Sequence, residues 1–188
     1  MIFGAGNRSP ETQLMTTWIL RLHHHDERAL HAMVLRRHPR LDRAMHAVTH
    51  LGDAVVTIGT TLALLLGVAP ALRNAGMRAA FALVASHAVV QLLKRTITRA
   101  RPRMPEGFAA LVQPPDRFSF PSGHAASSLS VALAVGAVLA PAAAALLVAL
   151  ALVVGLSRCY LGVHYPGDVI AGWMLAALGV VASAMVVG

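Results

Sequence analysis

Residues 120–168 read "FPSGHAASSLSVALAVGAVLAPAAAALLVALALVVGLSRCYLGVHYPGD". The apolar tract inside this stretch, 123–157, would extend about 50 Å as one helix, too long for a single crossing of a hydrocarbon core about 30 Å thick. Pro141 removes a backbone donor in the middle of it and is the natural break. Two helices follow, about 123–139 and 142–158. Polar chemistry sits where they begin and end: Ser122, Gly123 and His124 at one edge, Ser157, Arg158, His164 and Asp168 at the other.

The rest of the chain fits that reading. Of 188 residues, 56% are hydrophobic and 13% charged, with a mean hydropathy of +0.63. Soluble domains carry about a quarter charged residues, so the composition points to a membrane protein. Two further apolar blocks, 54–72 and about 76–93, precede the tract, and a last one covers about 167–187. Five spans result, joined by short connections except for the polar, Arg- and Pro-rich loop 94–121. A long loop of that kind is where chemistry concentrates.

Net charge is +8, and its clustering suits anionic headgroups or phosphorylated substrates. Nucleic acid is disfavoured, because no surface interleaves aromatic and basic residues. With five spans, residues 1–50, 94–121 and 158–166 share one side of the membrane. Of the 16 Lys and Arg, 14 lie there, all but Arg73 and Arg78. The positive-inside rule makes that side cytoplasmic.

Residues 11–40 read as an amphipathic helix. Met15, Trp18, Ile19, Leu22, Leu30, Met33 and Val34 recur at helical spacing among charged residues. Ser9-Pro10-Glu11 suits its start, and Pro39 is expected to end it. Such a helix lies in the membrane interface or packs on a protein surface. The first residues lack the pattern of a secretory signal, so the N-terminus is expected to be retained. One cysteine, Cys159, excludes an intrachain disulfide.

Three segments on the shared side carry candidate chemistry. In "KRTITRARP" (94–102), Lys94 and Arg101 lie two helical turns apart, within about 20° of one face, and Pro102 is expected to end the helix at Arg101. Taken alone, they are also what snorkelling cations at a helix end look like. Ser122 is placed to cap the helix opening at Gly123, whose free N–H groups form an anion site. Gly123 lets a phosphate approach the backbone. In "SRCYLGVHYPGD" (157–168), Pro166 suits a first helical turn. Asp168 then falls near His164, where a carboxylate can accept the Nδ1 proton and leave Nε2 free. Cations and amides for phosphoryl oxygens, a nucleophile and a proton donor are what phosphoryl transfer requires.

These residues, Lys94 through Arg101-Pro102, then Pro121-Ser122-Gly123-His124, then Ser157-Arg158 through His164 to Asp168, resemble the type 2 phosphatidic acid phosphatase family, whose phosphate site is similar to that of the vanadium haloperoxidases. Every motif position matches, in order. The resemblance implies that His164 attacks phosphorus to form a phosphohistidine, and that Asp168 orients it. It implies that His124 protonates the leaving alkoxide and later activates water, while Lys94, Arg101, Ser122, Gly123 and Arg158 bind phosphoryl oxygens. It implies no metal and no cofactor, and the residues themselves offer no carboxylate cluster suited to magnesium. Many members have six spans and an outward-facing site. Five spans and the cytoplasmic charge bias depart from that.

Other residues read as structural. Adjacent residues His23, His24 and His25 point in different directions on a helix and make a poor metal site. His87 is expected to form an interhelical hydrogen bond. Cys159 lacks an arginine six positions on, which rules out cysteine-phosphatase chemistry. Tyr165 and Trp173 read as interface anchors or packing residues.

The expectation is an all-α integral membrane helical bundle of about five transmembrane helices plus an N-terminal amphipathic interfacial helix. Residues 1–40 form the amphipathic segment and 41–188 the transmembrane phosphatase domain. It would lie in the inner or plasma membrane as a multi-pass protein, with membrane lipids around it; a homo-oligomer is left open. The substrate would be a lipid phosphate or pyrophosphate: polyprenyl (pyro)phosphate, prenyl-linked phosphosugar, phosphatidylglycerol phosphate or phosphatidic acid. A phosphotransferase using the same intermediate and a non-catalytic lipid-phosphate binding or transport protein are the alternatives.

Overall fold

The computed structural model describes residues 10–187, apart from the side chains of residues 10–20 and of Leu22. Among the described residues the first helix begins at Pro10, where the sequence places its start, while Ser9 and the side chains of Met15, Trp18, Ile19 and Leu22 lie outside what is described. The chain forms α1 (Pro10–Val34), α2 (Pro39–Thr49), α3 (Ala54–Leu65), α4 (Arg73–Ile97), α5 (Gly123–Gly136), α6 (Pro141–Tyr160) and α7 (Pro166–Val186). Among the described residues, extended pairing is limited to a single bridge between Ala100 and Phe118.

Prolines punctuate the bundle as local chemistry dictates. Pro141 and Pro166 each occupy the first turn of a helix, where a missing N–H costs nothing. Pro39 does the same for α2, so it opens a helix instead of ending the previous one. The first helix stops earlier, at Val34, and Arg37 then reaches out of the turn. Its Nε and Nη2 donate to the last carbonyl of α6, that of Tyr160, at 3.0 and 2.7 Å.

Helices α4 (with the turn before it), α6 and α7 are long and apolar enough to cross a bilayer, and α2 with α3 makes a fourth if that pair, bent by 46°, counts as one span. The other expected spans are short. Helix α3 has 12 residues, and α5 has 14, or about 21 Å. Helix α5 need not face lipid along its length, because α4, α6 and α7 surround it.

Small residues make that enclosure possible. Ala125, Ala126, Ser128, Ser130, Ala132 and Ala134 are all buried on α5, which lets backbones approach closely. On α7, a β-carbon at Gly172 would stand 2.5 Å from the Ser122 carbonyl. Any side chain there would push the start of α5 off α7. The end of α1 joins the core as well: Leu30 and Val34 are fully buried with Ala125, Cys159, Tyr165 and Val169. That end of the amphipathic stripe is thus spent on the bundle itself.

Candidate active site

Four helix ends meet at one end of the bundle: the last turns of α4 and α6 and the first turns of α5 and α7. Helix α6 ends at Tyr160, and Gly162 at φ 84° turns the chain back, a conformation glycine adopts without steric cost. The turn lets the Val163 and His164 amides donate to the Arg158 carbonyl. It buries His164, 2% exposed, beside Arg158, 3% exposed.

The His164 ring has a defined tautomer. Arg101 Nη1 lies 3.0 Å from its Nε2. A guanidinium only donates, so Nε2 accepts and the neutral ring carries its proton on Nδ1. That nitrogen faces Asp168 Oδ2 at 3.7 Å, beyond hydrogen-bond range. The expected pair is thus adjacent without a direct hydrogen bond. Asp168 spends its oxygens elsewhere: Oδ2 accepts from the Tyr165 amide at 2.8 Å, and Oδ1 accepts from Arg99 at 2.6 Å.

Burial pushes the His164 imidazole down to about 4; Asp168 opposes this, and the charges of Arg101 and Arg158 add to it. The ring is therefore neutral at pH 7. Its ordinary value is 6.5, so an unfolded chain binds a proton that the folded site refuses between pH 6.5 and about 4. Stability rises with pH across that window. Thermal unfolding in detergent is expected to show a loss on the order of 3 kcal/mol from this group on acidification. The substitution His164→Asn should flatten the slope. An equally steep slope in the variant would assign it to other groups.

Lys94 and Arg101 are brought together, though not by one helix. Helix α4 ends at Ile97, with Thr98 in the left-handed region at φ 46°. The chain then runs extended, the Ser119 amide donating to the Arg99 carbonyl at 2.9 Å. Extended backbone, not helical periodicity, carries Arg101 to the site. There it donates to the Val163 carbonyl at 2.6 Å as well as to His164. Both Lys94 and Arg101 also pair with Asp116.

On the other wall, Ser122 caps α5, its Oγ accepting from the Ala125 amide at 3.5 Å. Its own amide donates to the Asp168 carbonyl at 2.9 Å, which ties the starts of α5 and α7. Beside Gly123 a β-carbon would meet no atom within 4 Å, so there is room over the free N–H groups of this helix end. His124 Nε2 lies 2.8 Å from Asp53 Oδ1. Arg158 Nη1 donates to the Thr49 hydroxyl at 2.8 Å.

Arg101 Nε and Arg158 Nε are buried and without an acceptor. Buried donors seek acceptors, and phosphoryl oxygens would supply them. Among the described residues, no group of three or more His, Cys, Asp or Glu is arranged for a metal.

Sequence reasoning missed Asp53, Arg99 and Asp26, as well as the Asp116 that pairs with Lys94 and Arg101. Asp53 stands at the N-cap of α3 yet makes no capping bond; it holds His50 and His124 instead. Arg99 bridges Asp168 and Asp26, at 2.6 and 2.8 Å. Asp26 Oδ1 in turn accepts from the Gly167 amide, so α1 braces the start of α7. A cap residue that does not cap is legible only once its neighbours are known.

The remaining expectations resolve simply. His23 packs edge-on against Tyr165 and His25 meets Arg28. His87 pairs with Gln91 on its own helix, not across helices, because it sits on the exposed face of α4. Cys159 and Tyr165 are core residues. The Arg99 guanidinium stacks 4.1 Å above the Tyr165 ring. Trp173 lies against Gly155, where a β-carbon would meet the indole at 2.6 Å.

Similarity to known proteins agrees with this geometry. The chain is 39% identical over 103 residues to a decaprenylphosphoryl-5-phosphoribose phosphatase of Mycolicibacterium smegmatis, spanning 55% of each protein. To the protein of that name from Mycobacterium tuberculosis it is 37% identical over 131 residues, 69% of this chain and 71% of the relative. Its fold matches the crystal structure of a transmembrane PAP2-type phosphatidylglycerolphosphate phosphatase from Bacillus subtilis with a TM-score of 0.73 at 28% identity, over 88% of this chain and 86% of that one. The PAP2 superfamily model matches residues 75–187, a stretch that contains all three motif segments. With its motifs gathered at one end of a bundle of that fold, the chain belongs to the PAP2 superfamily.

Proposed function

We propose that this protein is a multi-pass membrane phosphatase that removes a terminal phosphate from a lipid phosphate or pyrophosphate by way of a phosphohistidine. The observation that carries this reading is a neutral, buried His164 whose Nε2 is held by a guanidinium among cations with unsatisfied donors. In the first half-reaction, Nε2 attacks phosphorus as the bond from phosphorus to the lipid oxygen breaks. Arg101 exchanges the imidazole for a phosphoryl oxygen. Lys94, Arg158, Ser122 and the amides at Gly123 take the others, and His124, protonated once the negative charge of the phosphate joins that of Asp53 beside it, gives its proton to the departing alkoxide. In the second, water attacks phosphorus, the bond to nitrogen breaks, and His124 recovers a proton from the water. Asp168, fixed by Arg99 and the Tyr165 amide, stabilises the positive charge that His164 acquires.

The names of the relatives support lipid-linked phosphates as the substrate class. A site at the end of the bundle lets the lipid chain stay in the bilayer. We place the protein in the cell membrane, with the site end on the cytoplasmic face favoured by the cation count.

The test is phosphate release from a panel of lipid phosphates by the purified protein in detergent. Activity is expected to survive chelation. Vanadate, which adopts the five-coordinate geometry of the transferring phosphoryl group, is expected to compete with substrate well below millimolar. Loss of activity on chelation with recovery on magnesium, or indifference to millimolar vanadate, would refute the mechanism.

A further inference from the structure

The loop between α4 and α5 sends a carboxylate into the phosphate cradle. Asp116 pairs through Oδ2 with the Lys94 ammonium and through Oδ1 with Arg101 Nη2, the latter at 2.7 Å. Its backbone carbonyl accepts from the same Nη2 at 3.2 Å. These are two of the three cationic side chains assigned above to the phosphoryl oxygens. The Phe118 amide donates to Oδ1 at 3.2 Å, so the loop itself fixes the carboxylate in this pose. Lys94 is buried and Asp116 is 37% exposed. The acid thus reaches in from the open side, the direction from which an anion would arrive.

We propose that Asp116 is an internal stand-in for the phosphate, occupying Lys94 and Arg101 until substrate displaces it and reclaiming them as product phosphate leaves. The idea rests on the proposed phosphatase reading and adds a role that its three motifs do not contain. The physical need is plain. A pocket of three cations that grips a transferring phosphoryl group also grips inorganic phosphate, and product held too tightly limits turnover. A tethered carboxylate competes at fixed local concentration and weakens that grip without removing any cation. Burial opposes ionisation of Asp116, but Lys94 and Arg101 outweigh it and hold the carboxyl below its ordinary range. The competitor is therefore charged throughout the neutral range.

An alternative role gives the opposite sign. If Asp116 only props Lys94 and Arg101 in position, removing its charge loosens the cradle and weakens phosphate binding. Calorimetric titration of the full-length protein in detergent with inorganic phosphate at pH 8 separates the two. Asp116→Asn keeps the acceptor for the Phe118 amide and the side-chain shape. We expect it to tighten phosphate about 10-fold, since two partly exposed charge pairs no longer have to be given up. Asp116→Ala should tighten phosphate in the same direction, and KM for a soluble phosphate monoester should fall in both variants while kcat does not rise. Unchanged or weaker phosphate binding in Asp116→Asn, with the wild type still binding and hydrolysing, would overturn the proposal alone. Absence of phosphate binding by the folded wild type and both variants would instead overturn the cradle itself, and the stand-in with it.

Discussion

Replacing His164 by alanine is expected to abolish phosphate release, by at least about 10³-fold in kcat, because no other group can take the bond to phosphorus. His164 is 2% exposed and sits between Arg101 and Asp168. Its backbone amide, not its ring, makes the turn contact to the Arg158 carbonyl, so the loop has reason to survive the change. Asp168 keeps Arg99 and the Tyr165 amide in the variant and is not stranded as a buried unpaired charge. Thermal unfolding and helix content by circular dichroism check the fold, and acid-labile phosphate trapped on the wild type but not on the variant checks the intermediate. Phosphate release within tenfold of wild type from a folded His164→Ala protein would remove His164 as the nucleophile.

Arg101→Lys is expected to cost about 10²-fold in kcat/KM, the scale of losing a preorganised donor to a developing oxyanion. Arg101 engages the Val163 carbonyl, His164 Nε2 and Asp116 at once, with its Nε still in want of an acceptor. Only a planar fork meets partners in several directions; an ammonium on a flexible stem keeps the charge and loses the geometry. Because His164 Nε2 would also lose its donor, the variant should differ from a simple loss of substrate affinity: kcat should fall, not KM alone rise. Arg95→Lys is the control, since Arg95 is exposed on the last turn of α4; its kinetics should stay within about twofold of wild type, as for a surface substitution. Wild-type kinetics in Arg101→Lys would show that Arg101 is not a phosphate clamp.

Sequence alone determined what neighbouring residues decide among themselves. The breaks at Pro141 and Pro166 and the cap at Ser122 follow from backbone chemistry within one turn of helix. The apolar blocks and the order of Lys94, Arg101, Ser122, His124, Arg158, His164 and Asp168 were legible for the same reason: each motif is short and complete in itself. Tertiary structure decided the contacts between distant parts of the chain. His124 meets Asp53 across 71 residues, and Arg99 joins Asp168 across 69 and Asp26 across 73. Nothing within a helical turn of Arg99 or Asp116 marks them, and His50 beside Asp53 does not point to His124, because a charge's partner is set by which helix ends the packing brings together. The same packing fixed what local rules misjudged. Thr98 turns left-handed so that residues 99–101 can run beside 118–119, and α5 can stop short of a full span because three other helices enclose it.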